Sequence, residues 1–102
     1  MKFSIKTSSL DSNIFNEMRS LGYHFISRND ENLEMNFVKP LSSIGYPRFH
    51  AYVKIDPKNK EMSFNLHLDQ KRPIYKGATA HSGEYDGELV EKEVERLKQS
   101  LK

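Results

Sequence analysis

Apolar side chains fall at two periods along this chain, every second residue in several stretches and every third or fourth in two others. From Lys2 to Lys6, Phe3 and Ile5 alternate with lysine and serine, the period of a strand with one buried face. Leu10, Ile14, Phe15, Met18 and Leu21 then recur at helical spacing. Ser8, Ser9 and Asp11 are candidate N-caps, and Gly22 supplies a left-handed stop. Residues 23–28 and 33–38 flank Asn29-Asp30-Glu31-Asn32, whose side chains bond readily to nearby backbone, and a hairpin is expected there. In its second strand Leu33, Met35 and Phe37 make the buried face, and Pro40 ends it.

A connector with Ser42, Ser43, Gly45 and Pro47 leads to Arg48–Ile55, where Phe49, Ala51, Val53 and Ile55 alternate with Arg48, His50, Tyr52 and Lys54. Asp56-Pro57-Lys58-Asn59-Lys60 reads as a turn, with asparagine as the residue that accepts positive φ. Met62, Phe64, Leu66 and Leu68 then alternate again, completing a second hairpin. Residues 72–85 are irregular, with Pro73, Gly77 and Gly83, and read as a long loop. Asp86 is the expected cap of a last helix, whose apolar stripe is Leu89, Val90, Val94, Leu97 and Leu101. Glutamates lead that helix and Lys98 trails it, the order that suits the helix dipole.

The expected fold is therefore α+β, a mostly antiparallel sheet of about five strands with two helices on one face, in the order β-α-β-β-β-β-α. That element order resembles the helix-grip arrangement in half of a TATA-binding protein. The resemblance covers element order alone, carries no residue motif, and so implies nothing about function.

A chain of 102 residues is long enough for one core and too short for two, so residues 1–102 are expected to form a single domain. There is no cysteine, hence no disulfide or thiolate metal site, and no apolar run of membrane-spanning or signal-peptide length. A cytoplasmic protein without a membrane partner, monomeric or weakly homodimeric, is the expectation. The 16 basic and 14 acidic side chains leave a net charge of +2, short of the basic excess typical of dedicated nucleic-acid domains.

The second hairpin carries the candidate chemistry. Both of its strands must send their apolar residues to one face, and if Ile55 faces Met62 then His50 lies directly across from His67, Arg48 from Asp69 and Tyr52 from Asn65. Opposed Cβ atoms are only about 4.5 to 5.5 Å apart. Two imidazoles at that separation suit one transition-metal ion, zinc foremost, with Asp69 adding an oxygen and the loop a third imidazole from His81 or the Glu84 carboxylate. Arg48, Tyr52 and Asn65 are the expected ligand-binding neighbours. The bland alternative is a solvated polar face with an Arg48–Asp69 ion pair, since any strand offers residues i and i+2 on one side.

Other patterns are weaker. Ser82 beside His81 lacks the geometry of a nucleophile and its base, and Gly77 and Gly83 belong to no phosphate-binding fingerprint. Lys54, Lys71, Arg72 and Lys76 with Tyr52 and Tyr75 suggest contact with a nucleic-acid backbone, against which stand Asp69, Glu84 and Asp86. The favoured reading is a non-enzymatic binding module with a polar sheet face for a divalent metal. A nucleic-acid-binding module and a small metal-dependent enzyme are its rivals.

Overall fold

The computed structural model describes residues 1–6, 14–70, 83–84 and 87–101, with the backbone alone for 83 and 84. The strands are β1 (Lys2–Lys6), β2 (His24–Arg28), β3 (Met35–Pro40), β4 (Arg48–Asp56), β5 (Glu61–Asp69) and β6 (Gly83–Glu84). The helices are α1 (Ile14–Ser20), between β1 and β2, and α2 (Glu88–Ser100), after β6. All pairings are antiparallel, in the order β1-β5-β4-β3-β2, and β6 joins β5 beyond the end of β1. The α+β class and the expected element order are present. β6 is an addition: it lies in the stretch that the sequence assigns to irregular loop.

The long strands β4 and β5 set the frame. Their register pairs Ile55 with Met62, Val53 with Phe64, Ala51 with Leu66 and Phe49 with Leu68. All of these except the half-exposed Ile55 are buried, and Met35, Phe37 and Ile5 extend the same face on either side. Ile14 and Met18 of α1 and Val90, Val94, Leu97 and Leu101 from α2 and its C-cap join these residues in one hydrophobic core, so both helices cover one face. At the edge, Phe15, Phe25 and Phe37 form a ring cluster with centroids 5.0 to 6.1 Å apart, the offset and edge-on geometries that ring quadrupoles favour.

Local chemistry explains most boundaries. Gly22 adopts φ 97°. The Tyr23 amide donates to the Met18 carbonyl at 2.9 Å and the Gly22 amide to Arg19 at 2.9 Å, the paired bonds of a Schellman stop. Asn29 Oδ1 accepts the amides of Glu31 and Asn32, and Asp56 Oδ1 those of Lys58 and Asn59, so both polar clusters do make turns.

Several local expectations are corrected. Positive φ falls on Leu33 (61°) and Lys60 (52°), one residue past the asparagines, which instead spend their amides and side chains on the turn. Leu33 is consequently exposed and outside the strand, and β3 begins at Met35. Gly87 is the N-cap of α2, with no side-chain capping bond; Asp86 lies outside the described residues, as do Ser8, Ser9, Leu10 and Asp11. Leu89, placed in the apolar stripe, is 48 % exposed, while Glu93 is buried.

Glu93 is buried because it has partners. The Tyr23 hydroxyl donates to its Oε2 at 2.6 Å, and Arg96 donates through Nε to Oε1 at 2.8 Å and through Nη2 to Oε2 at 2.7 Å. Arg96 Nη2 also donates to the Leu21 carbonyl at 2.9 Å, tying α2 to the exit of α1. Burial alone would raise the Glu93 carboxyl pKa, but the bonds from Arg96 and Tyr23 outweigh it and hold the group below the usual range. Burial and the adjacent carboxylate push the Tyr23 phenol up. Among the described residues no helix is long and apolar enough to cross a membrane.

Candidate functional site

On the face opposite the helices, the strand registers set polar side chains in rows. His50 stands across from His67 on one side and Val38 on the other, Arg48 across from Asp69, and Tyr52 between Asn65 and Asn36. The sequence-derived register is thus the one observed. Alternation alone does not anticipate how deeply parts of this face are covered: the His67 and His50 side chains are only 7 % and 13 % exposed, and Val38 is buried.

Asp69 is the hub. Arg48 Nε donates to its Oδ2 at 3.0 Å, His50 Nδ1 lies 3.3 Å from the same oxygen, and His67 Nε2 lies 2.9 Å from Oδ1. Arg48 is held from its other side by the Tyr46 ring, whose centroid is 4.7 Å from the guanidinium carbon. Burial would raise the Asp69 carboxyl pKa, but hydrogen bonds from His50, His67 and Arg48 outweigh it, so the group lies far below the ordinary carboxylate range.

Tyr52 stacks on both imidazoles, which are tilted at 40° to each other. Ring centroids of His50 and His67 are 4.9 Å apart, and the Tyr52 ring lies 4.4 Å from His50 and 5.5 Å from His67. His50 Nε2 is 3.1 Å from the Asn36 amide oxygen. Both nitrogens of His50 therefore face oxygen acceptors, Asp69 on one side and Asn36 on the other. A neutral imidazole carries one N–H and satisfies one of them. Serving both as acceptors takes a cation at the Asp69 end, whereas an Asn36 amide turned to present its NH2 would let the neutral ring satisfy both contacts.

His50, His67 and Asp69 can each point one ligand atom into a common space, with all three atoms within 4.8 Å of one another. Four ligands of a tetrahedral zinc ion at 2.0 to 2.1 Å are separated by about 3.4 Å. The His67–Asp69 contact, at 2.9 Å, is tighter than that, so these two groups would have to move apart to share an ion. Asn36, which accepts from the far nitrogen of His50, would then be the outer partner that orients a ligating imidazole.

The structure thus gathers Arg48, His50, His67 and Asp69 and places Tyr52 against both imidazoles, with Asn65 in the next row. His81, the expected third imidazole, lies outside the described residues, as do Lys71, Arg72, Tyr75 and Lys76 of the nucleic-acid reading. Lys54 and Tyr52 of that set share the polar face of β4. Backbone pairing sets Gly83, rather than Glu84, across from Asp69. Asn36 is the participant that sequence reasoning missed. Its alternation marks it as water-facing, but its place beside His50 depends on the β3–β4 register, which no turn length fixes. No protein family, curated protein or solved structure matches this chain.

Proposed function

We propose that the polar sheet face is a binding surface and that His50, His67 and Asp69 hold a divalent transition-metal ion, zinc foremost. The observation that carries this reading is the double acceptor environment of His50, with Asp69 Oδ2 at 3.3 Å from one nitrogen and Asn36 Oδ1 at 3.1 Å from the other. In the tautomer that donates Nε2–H to Asn36, in place of the one that donates Nδ1–H to Asp69, Nδ1 presents a lone pair toward Asp69 and His67. A cation there converts a repulsive pair of acceptors into two ligands. Two imidazoles and one carboxylate are a donor set zinc accepts, and Arg48, bonded to the carboxylate from outside, would fix its orientation.

Three protein ligands leave one coordination position for water or for an atom of a bound molecule, so the module would present the metal rather than bury it. Because imidazole ligands must be deprotonated, zinc affinity should rise with pH and binding should release protons. Calorimetric titration of zinc into the wild-type chain, His50→Ala and His67→Ala tests the proposal. One equivalent should bind to the wild type with proton release, and each substitution should weaken it at least tenfold. Equal binding by all three proteins rejects this ligand set.

A further inference from the structure

One row further along the strands, beyond Tyr52, a groove of about 430 Å³ crosses the polar face, lined by Lys2 and Ser4 of β1, Tyr52 and Lys54 of β4, and Ser63 and Asn65 of β5. We infer that this groove binds the oxyanion of a small phosphate- or carboxylate-bearing ligand between the Lys2 and Lys54 ammonium groups.

The registers supply the geometry. Lys2 pairs with Asn65, which pairs with Tyr52; Ser4 pairs with Ser63, which pairs with Lys54. The two lysines therefore stand on strands either side of β5 and one row apart. With strands about 4.8 Å apart and rows about 6.7 Å apart, their Cα atoms are separated by roughly 12 Å. Lysine side chains reach about 6 Å, long enough for both to meet an anion over β5, where the Ser63 hydroxyl and the Asn65 amide are further donors. Lysine acts as a point charge toward such an anion, and the neutral donors supply direction.

The Tyr52 phenol walls the groove on the side of the imidazoles, its ring stacked 4.4 Å from His50. Glu34, the residue before β3, is the single carboxylate among the described lining residues. Two ammonium groups against one carboxylate leave the groove net cationic, while Glu34 sets a limit on how much negative charge it takes. This inference does not depend on a metal, since no residue of the ligand set lines the groove.

The test titrates inorganic phosphate, and separately acetate, into the full chain in EDTA, following backbone amide resonances. Phosphate should saturate shifts at Lys2, Lys54, Ser63 and Asn65. The K2Q/K54Q double variant should bind at least about tenfold more weakly, and Glu34→Gln should bind more tightly. Lys58→Gln, in the β4–β5 turn and outside the groove, should bind as the wild type does. Acetate saturating the same resonances more tightly than phosphate would assign the groove to carboxylates, and the reverse order to phosphate esters. Absence of saturable shifts with either anion, or equal weakening by Lys58→Gln, overturns the proposal. Because EDTA removes metal, failure here leaves the zinc reading untouched, and a failed zinc titration leaves this one untouched.

Discussion

Replacing Asp69 by asparagine changes one atom at the centre of the polar network and should cost more than a surface substitution does. Asp69 accepts from Arg48 at 3.0 Å and approaches His50 and His67 at 3.3 and 2.9 Å, with side-chain exposures of 19 % for the aspartate, 24 % for Arg48 and 7 % for His67. Hydrogen bonds to a charged partner are worth about 1.5 to 3 kcal/mol each when their partners are shielded from water. Asparagine keeps one acceptor oxygen and turns an NH2 toward a former donor, so one such bond is lost and a second weakened, roughly 2 to 4 kcal/mol.

The pH dependence gives a second signature. The folded pKa of Asp69 is depressed, so its contribution is fully present above the unfolded value, near 3.9, and fades as pH falls toward the folded value. Urea denaturation of wild type and Asp69→Asn should therefore show a gap of 2 to 4 kcal/mol at pH 6 to 7 that narrows below about pH 4, with unchanged m-values. A gap under about 0.5 kcal/mol at neutral pH, the range of ordinary surface substitutions, would falsify the hub assignment. A larger gap that stays constant with pH would remove its electrostatic basis.

Other substitutions probe the fold. Tyr23→Phe removes the donor to buried Glu93 and should destabilise by about 1.5 to 3 kcal/mol. A double-mutant cycle with Glu93→Gln should show strong coupling, and additivity would mean that the 2.6 Å bond contributes nothing. Leu97→Ala, at a fully buried position of α2, should cost about 2 to 5 kcal/mol in the same assay; a cost near that of Leu89→Ala would contradict the assignment of the buried stripe. Gly22→Ala forces a side chain into φ 97° and sets its Cβ 3.1 Å from Lys39 Cε. A loss of at least about 1 kcal/mol is expected, and a neutral effect would mean that the Schellman stop can be remade without glycine.

The parts of this architecture that follow from period two were legible from the chain. Four residues of β4 and four of β5 alternate so cleanly that a single register buries all but Ile55, and alternation alone is enough to set His50 opposite His67. Less legible were features decided by contacts between distant segments. Glu93 reads as one of several solvent-facing glutamates, and only the approach of Tyr23, 70 residues earlier, makes its burial favourable. Asn36 reached His50 through a strand order set by packing rather than by a tight turn. The left-handed residues fell on Leu33 and Lys60 because asparagine side chains were occupied in capping the turns, a choice that composition does not encode.

The metal assignment stands or falls on the ring nitrogens of two histidines. Long-range proton–nitrogen spectra of the imidazoles, recorded while zinc is added to one equivalent, read those atoms directly. His50 Nδ1 and His67 Nε2 should move to the range of metal-bound nitrogen together and saturate at one ion per chain, while His24, exposed on β2, stays in place. Zinc that leaves both rings unchanged, or that shifts His24 just as much, would show that Asp69 gathers these imidazoles for the stability of the sheet alone.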